Sequence, residues 1–311
     1  MDRIVCITGP TASGKTRLSI ALAKALGGEV VSFDSMQIYR RMDIGTAKPT
    51  PEEMDGIPHH MIDVVDPEED YSVSRYVQEA DLCVQDILAR GKAVILVGGT
   101  GLYIDALIAG REFAPFPSTG RREELTELAK TQGIEAVLAR LEQVDPEAAA
   151  RIDPKNERRV IRALEVYLET GKTITQHNLE SQLLPPKYQP VWLGMTYRDR
   201  AVLHQRINDR VDAMFSAGLV REVQELLGSG VPSSATSLQA IGYKELVDAL
   251  QGDLSLDEAR ESIKTATRRY AKRQLTWFRR NEAIHWLYGE DGWDKVFLSA
   301  CQRISFFDSN F

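Results

Sequence analysis

The first residues whose types and spacing could do chemistry form one loop between a short apolar run and a helical pattern. They are Gly9, Pro10, Thr11, Ala12, Ser13, Gly14, Lys15 and Thr16. This is the phosphate-loop pattern G-x-x-x-x-G-K-[ST], in which backbone N–H groups and a helix N-terminus face a phosphate. Lys15 adds a full charge, and the Thr16 hydroxyl can hold Mg²⁺. The loop predicts a bound di- or triphosphate with Mg²⁺ as cofactor; the alternative is a glycine turn that only caps a helix.

A carboxylate at a strand end is the second candidate. Nucleotide hydrolases with a phosphate loop carry an acidic residue at the end of another strand. The run Ala93–Val97 ends instead in Gly98-Gly99-Thr100, whereas Val30–Phe33 ends in Asp34. We expect the Asp34 strand to lie beside the phosphate loop, at the ligand-binding edge of the sheet. Asp34 could be a metal ligand or a general base, or it could cap the next helix.

Basic side chains are the third candidate, in a chain with a formal net charge of -7. Arg206 and Arg210 are four residues apart and therefore share one face of a predicted helix. The segment Lys264–Arg280 has seven Lys or Arg and no Asp or Glu. Such a segment can bind phosphates of RNA, and its aromatic residues can stack on bases or belong to the core. Those aromatic residues are Tyr270, Trp277 and Phe278.

Alternating apolar runs and helical patterns must position these residues. The runs predict strands at Arg3–Ile7, Glu29–Phe33, Lys92–Val97 and Val191–Met195. Helices are predicted at Thr16–Leu26, at Tyr71–Arg90 and, as one long amphipathic helix, at Leu203–Leu219. This alternation is typical of parallel βαβ units. Residues 121–184 show only helical patterns and end at a Leu-Pro-Pro breaker.

The fold class that follows is α/β, with a P-loop doubly wound parallel sheet core and an α-helical insert domain. We expect residues 1–118 to form the first part of the core, 119–187 the insert, and 188–311 the rest of the core with basic C-terminal helices.

Composition excludes several classes of protein. With 311 residues, 43% hydrophobic and 27% charged, the chain is neither disordered nor fibrous. It has no apolar run long enough to span a membrane and no secretory signal at its start. Three cysteines without a CxxC pair predict neither a disulfide framework nor a zinc cluster. We therefore expect a cytoplasmic protein.

Eight segments, in this order along the chain, resemble the tRNA dimethylallyltransferase family, also called tRNA isopentenyltransferases. They are GPTASGKT (9–16), DSMQIYR (34–40), MDIGTAKP (42–49), HHMID (59–63), VGGTGLY (97–103), RRVIRALEVY (158–167), QAIGYKEL (239–246) and KRQLTWFRR (272–280). The resemblance implies a transferase that moves the dimethylallyl group of dimethylallyl diphosphate to N6 of the adenosine 3′ of a tRNA anticodon. Diphosphate leaves, Mg²⁺ assists, and the adenosine is flipped out of the anticodon loop.

The resemblance also implies roles for single residues. Asp34 would be the general base and Thr100 would orient the amine, while the phosphate loop and Arg210 would bind the diphosphate. Either Arg121 or Arg122 corresponds to another RNA-contacting arginine of the family. This sequence is two residues shorter than the family pattern just before that point, which leaves the choice open, and we favour Arg122. The residues implied to contact tRNA are Asp34, Ser35, Met36, Gln37, Thr100, Arg122, Arg158, Arg159, Val160, Ile161, Arg162, Gln239, Ala240, Ile241, Gly242, Tyr243, Lys244, Lys272, Arg273, Gln274, Leu275, Thr276, Trp277, Phe278 and Arg279.

Three other functions share parts of this pattern. An adenylate isopentenyltransferase would modify free AMP, ADP or ATP, and would need neither the helical insert nor the basic segment. A small-molecule kinase would bind ATP and could use Arg206 and Arg210 over the phosphates. An RNA-binding module could use the phosphate loop only as a nucleotide switch, although Asp34 and Thr100 argue against a bare switch. We expect a monomer, because one tRNA would fill the cleft.

Overall fold

The protein is built around one parallel β-sheet. The computed structural model describes residues 4–111, 119–183 and 185–309. Its strands are β1 (Ile4–Thr8), β2 (Glu29–Ser32), β3 (His59–His60), β4 (Val94–Val97), β5 (Val191–Thr196) and β6 (His285–Tyr288). They form a single sheet in the order β3-β2-β4-β1-β5-β6, and every pair of neighbours is parallel.

Helices connect these strands and form the rest of the described structure. They are α1 (Lys15–Leu26), α2 (Pro51–Met54), α3 (Val73–Ala89), α4 (Gly101–Ile108), α5 (Arg121–Gln132), α6 (Ile134–Val144), α7 (Pro146–Arg151), α8 (Glu157–Thr170), α9 (Ile174–Leu183), α10 (Arg200–Ala217), α11 (Leu219–Gly228), α12 (Tyr243–Gln251), α13 (Leu256–Phe278) and α14 (Trp293–Ser309). Two 3₁₀ turns lie at Ser237–Gln239 and Gly289–Asp291. No described helix has the length and hydropathy needed to cross a bilayer.

The chain divides into two compact units. One unit comprises Met1–Gly110 with Tyr188–Phe311 and contains the whole sheet; the other comprises Arg111–Lys187 and contains α5 to α9. In the larger unit, β1 is buried along its full length, as expected for a parallel strand covered on both faces. In the smaller unit, α5, α6 and α8 pack around Val137, Leu141, Val160 and Leu164.

The observed elements confirm the predicted fold class and most of the predicted strands and helices. Two strands were not predicted, β3 and β6, which are only two and four residues long. Residue Arg3 of the first predicted strand, the boundary at residue 118 and residue 184 lie outside the described residues.

Two predictions about the core are wrong. The long amphipathic helix ends at Ala217, because Gly218 adopts a left-handed φ of 103°, and Leu219 begins α11. The strand that ends before Asp34 is not beside the phosphate-loop strand, since β4 lies between β2 and β1. Neither the position of a strand in the sheet nor a single glycine break is encoded by local hydrophobic periodicity.

A buried carboxylate lies at the N-terminal end of β2. Glu29 has a side chain that is only 3% exposed. Its oxygens accept hydrogen bonds from Arg90 at 2.5 and 2.8 Å, from Lys92 at 2.7 Å, and lie 2.8 Å from His60 Nε2. The Arg90 guanidinium, helped by Lys92 and His60 and opposed by burial, holds the pKa of Glu29 well below its usual range.

Glu29→Gln should therefore lower the free energy of unfolding at pH 7 by roughly 1–3 kcal/mol, because the charged bonds to Arg90 and Lys92 are lost. A depressed pKa adds stability above the unfolded value, 4.5, and this stability is lost as the pH falls below it. In urea unfolding, the free energies of unfolding of the wild type and Glu29→Gln should thus differ less at pH 4 than at pH 7. Asp86→Asn, which removes an exposed partner of Arg90, should cost less than about 1 kcal/mol. An equal loss in both variants would contradict this account.

Candidate active site

The phosphate loop connects β1 to α1 and is shaped by close packing. Gly9 has φ 139°, and a Cβ there would lie 2.2 Å from the carbonyl oxygen of Met195 in β5. Gly14 has φ 97° and precedes α1, and Ala12 also adopts a positive φ of 61°. Because α1 begins at Lys15, its first amides have no carbonyl partner within the helix and face the loop. The loop therefore has the geometry of an anion site.

Lys15 lies at this anion site and has a lowered pKa. Its ammonium donates a hydrogen bond to the carbonyl of Pro10 at 2.7 Å. Burial, reinforced by the neighbouring Arg210 and opposed by Asp34, lowers the pKa of Lys15 to about 7. Lys15 is therefore only partly protonated near neutral pH.

Two arginines of α10, which their spacing places on one face of the helix, both reach this loop. Arg206 Nε donates to the carbonyl of Ala12 at 3.1 Å, and Arg210 Nη1 lies 3.5 Å from the hydroxyl of Thr11. Burial lowers the pKa of Arg210, although a guanidinium stays charged at neutral pH. Three cationic side chains are therefore gathered around the loop, an arrangement that favours a multiply charged anion.

Asp34 and Thr100 follow the neighbouring strands β2 and β4 and are joined through Ser35. The Thr100 hydroxyl accepts a hydrogen bond from Ser35 N at 3.1 Å and donates to Ser35 Oγ at 3.2 Å. Asp34 Oδ1 accepts from Met36 N at 2.9 Å. This bond forms a turn rather than the N-cap of an α-helix, since the next described helix is α2 (Pro51–Met54). The helix-cap alternative for Asp34 is therefore wrong.

The phosphate loop, Arg210 and Asp34 line a cavity of about 370 Å³. All residues that line this cavity belong to the larger unit. The phosphate loop and Arg210 form one part of its wall, and Asp34 and the segment 239–243 form another. The apolar part of the lining includes Met36, Val97, Ile207, Val211, Met214, Ile241 and Ile263. One space therefore connects an anion site, a carboxylate and an apolar surface.

Tyr270 also lines this cavity, although sequence reasoning gave it only a stacking or core role. Burial and the charge of Asp34 raise the pKa of Tyr270 to about 12, so its hydroxyl stays protonated and can donate a hydrogen bond. The other two aromatic residues differ from it. Phe278 is buried, and Trp277 donates from Nε1 to Asp105 at 2.9 Å with Arg280 stacked 4.0 Å above its ring.

Gln274 is a residue whose placement sequence reasoning missed. It is 5% exposed, and its side chain points into the larger unit. Oε1 accepts from Thr11 N at 2.9 Å, and Nε2 donates to Gly99 O at 3.0 Å. A single amide therefore bridges the phosphate loop and the turn before Thr100. Its spacing with Ala271 and Phe278, which are also buried, was the available sequence signal.

The other residues expected to contact tRNA fall into three groups. The exposed ones are Arg122, Arg158, Arg159, Gln239, Lys244, Lys272, Arg273, Thr276 and Arg279. The half-buried ones are Ser35, Met36, Gln37, Thr100, Arg162, Ala240, Ile241, Leu275 and Trp277. The buried ones are Val160, Ile161, Gly242, Tyr243, Gln274 and Phe278. In the smaller unit, Arg122 and Arg162 converge on the carboxylate of Glu165, at 3.0 and 2.9 Å.

The fold and the cavity define a phosphate-loop α/β protein whose anion site shares one cavity with a carboxylate that follows β2. A family model described as IPP transferase matches residues 37–281. The chain belongs to this IPP transferase family.

Individual relatives agree with this assignment. The chain is 50% identical over 291 residues to the tRNA dimethylallyltransferase of Thermoanaerobacter sp. (strain X514), covering 93% of this chain and 92% of the relative. Its structure is similar to that of the full-length tRNA isopentenylpyrophosphate transferase of Bacillus halodurans, with 42% identity, a TM-score of 0.74 and 99% of each chain covered. It also resembles a eukaryotic dimethylallyltransferase acting on tRNA, with 31% identity, a TM-score of 0.86, and 100% of this chain and 80% of the other covered.

The lowered pKa of Lys15 predicts that the protein takes up a proton when an anion binds. A bound diphosphate favours the ammonium and raises the lysine pKa, so binding above pH 7 must take up a proton and weaken as the pH rises. At pH 7.5, titration calorimetry with inorganic diphosphate in two buffers should show roughly half to one proton more for the wild type than for Lys15→Arg. Lys24→Arg, a change at an exposed lysine of α1, should match the wild type. Equal proton uptake in all three would contradict the assigned state.

Proposed function

We propose that this chain transfers the dimethylallyl group from dimethylallyl diphosphate to N6 of the adenosine 3′ of a tRNA anticodon, releasing diphosphate. One observation carries the proposal: the phosphate loop, Asp34 and an apolar wall line a single cavity. Thr100 is hydrogen-bonded to Ser35, which also lines this cavity. A diphosphate ester with a five-carbon apolar chain matches this combination. Membership of the IPP transferase family supports the same reaction.

The phosphate loop would hold the diphosphate as the leaving group. In the reaction the allylic C–O bond breaks, its electron pair stays on the bridging oxygen, and a C–N bond forms with the adenine amine. Negative charge therefore grows on the diphosphate. The amides of the loop, Lys15 and Arg210 would be fixed hydrogen-bond donors to that charge. They would stabilise the transition state more than the ground state, and so lower the barrier.

The described residues fit Mg²⁺ as a cofactor. Mg²⁺ is usually held by one or two protein oxygens together with phosphate oxygens and water, rather than by an all-protein cage. The Thr16 hydroxyl and the Asp34 carboxylate line the same cavity, and the described residues contain no cluster of three or more His, Cys, Asp or Glu suited to a metal. When bound, the ion would neutralise charge on the diphosphate; Thr16 is the residue proposed to hold it.

Asp34 is proposed as the general base and Thr100 as the group that orients the amine. An exocyclic amine is a weak nucleophile because its lone pair is delocalised into the ring, and it must lose a proton as the C–N bond forms. Asp34 Oδ1 is engaged by Met36 N, so the carboxylate is held in one orientation toward the cavity. General-base assistance of this kind contributes roughly 10²–10⁴ in rate.

The acceptor is proposed to enter from the side of the cavity formed by the segment 239–243 and by Asp34 to Gln37. A stacked base cannot reach a carboxylate inside this cavity, so the target adenosine must leave its stack. Exposed cations of α13 and of its C-cap, among them Lys272, Arg273 and Arg279, are suited to the RNA backbone. The smaller unit, with Arg122, Arg158 and Arg159, is proposed as a further tRNA contact. We propose a monomer, because one tRNA would fill the cleft.

Label transfer tests the function directly. The protein is incubated with Mg²⁺, radiolabelled dimethylallyl diphosphate and unmodified tRNA, with AMP in a parallel tube. Label in the tRNA, mapping to the adenosine beside the anticodon, is the expected result. Label only in AMP would assign the chain to adenylate isopentenyltransferases. ATP turnover without any transfer would indicate a kinase or a switch.

Asp34→Asn should separate catalysis from binding. Asparagine keeps the oxygen that accepts from Met36 N, and so preserves the turn, but it cannot take the proton of the amine. Turnover should fall at least about 10²-fold, while tRNA affinity stays within a few fold. Asp55→Asn, at an exposed position outside the cavity, is the matched control and should retain wild-type turnover. Turnover of Asp34→Asn close to the wild type would exclude the general-base role.

A further inference from the structure

Glu222 holds a segment of backbone that no site assignment includes. It lies in the first turn of α11, and its carboxylate accepts hydrogen bonds from three consecutive amides. Oε2 accepts from Asp43 N at 2.9 Å and Ile44 N at 2.8 Å, and Oε1 accepts from Gly45 N at 3.1 Å. Hydrogen bonds to an ionised acceptor are about twice as strong as neutral ones. One side chain thus fixes the segment 43–45 against α11.

Tyr243 joins the same carboxylate from another element. Its hydroxyl donates to Glu222 Oε1 at 2.6 Å, and its side chain is fully buried at the start of α12. The tyrosine ring also covers Gly45 closely, since a Cβ there would lie 2.4 Å from a ring carbon. Three separate parts of the chain, the segment 43–45, α11 and α12, therefore meet at Glu222.

The segment held by Glu222 continues into the wall of the cavity. Gly45, Thr46 and Ala47 line it, and so does Gln37. Gln37 Nε2 donates to the carbonyls of Thr46 and Ala47, at 3.3 and 3.2 Å. Contacts therefore run from Glu222 to Gln37 on one side and to Tyr243 on the other. These two residues belong to the two segments proposed to receive the target adenosine.

The diphosphate side of the cavity is not part of this arrangement. Glu222 does not line the cavity, and its carboxylate is hydrogen-bonded to the segment 43–45 and to Tyr243 rather than to the phosphate loop. A loss of the carboxylate should therefore disturb the acceptor side and leave anion binding intact.

We propose that Glu222 is a positioning residue that assembles the acceptor-nucleoside pocket by tying the segment 43–47 to Tyr243. This inference rests on the proposed function, because it assigns the acceptor to that side of the cavity. It concerns binding of the RNA base and not the transfer chemistry, in which Glu222 takes no part.

Steady-state kinetics of Glu222→Gln test the proposal. Glutamine turns an NH₂ group toward amides that need an acceptor, so the segment 43–45 loses part of its anchor. We expect KM for tRNA to rise about tenfold, since the loosened pocket must be ordered when RNA binds, while Kd for inorganic diphosphate stays within twofold. Glu225→Gln is the matched control: it removes an exposed glutamate of α11 whose partner is Arg221, and both constants should remain unchanged.

The outcomes separate this inference from the proposed function. An unchanged KM for tRNA in folded Glu222→Gln, with only a lower melting temperature or a smaller active fraction, would overturn it and indicate a purely structural role. If Glu222→Gln does not fold, Tyr243→Phe decides: a rise of about threefold in KM for tRNA is expected, and no rise overturns the proposal. Absence of transfer by the wild-type protein would instead refute the proposed function.

Discussion

The two hydrogen bonds of the Gln274 side chain fix the distance on which the site depends. One bond goes to Thr11 N in the phosphate loop and the other to Gly99 O, next to Thr100. Both partners are backbone groups, and the bond to Gly99 O is buried, where an unpaired acceptor costs about 1–3 kcal/mol. The helix α13 approaches so closely that a Cβ on Gly99 would lie 2.1 Å from Gln274 Nε2. One side-chain amide therefore holds together the phosphate loop, proposed to bind the leaving group, and the turn before Thr100, proposed to orient the nucleophile.

The order of the strands explains why such a bridge is needed. β4 separates β2 from β1, so Asp34 and the phosphate loop end on strands that are not neighbours. Thr100, at the end of β4, lies between them and contacts Ser35. The arginines of α10 complete the anion site. The phosphate loop, Asp34 and Arg210 come from different elements, and the cavity that they line combines an anion site, a carboxylate and an apolar surface.

The sequence predicts the parts of this site that depend on local chemistry. The phosphate loop follows from the spacing of two glycines and Lys15, and the pairing of Arg206 with Arg210 follows from helical spacing. The position of β4 between β1 and β2 does not, because sheet order is set by contacts distant in the chain. For the same reason the inward direction of Gln274 was not predicted: a polar residue in a basic helix is expected at the surface unless its buried partners are known.

The rate of a single turnover in Gly99→Ala tests this account most directly. The added methyl group must displace the Gln274 amide, whereas Gly228→Ala adds a methyl group where no atom lies within 4 Å. With enzyme in excess and both substrates saturating, the account predicts that Gly99→Ala transfers the dimethylallyl group at least about tenfold more slowly than the wild type, and Gly228→Ala at the wild-type rate. Equal rates for all three proteins would contradict the claim that the Gln274 bridge sets the geometry of the reaction.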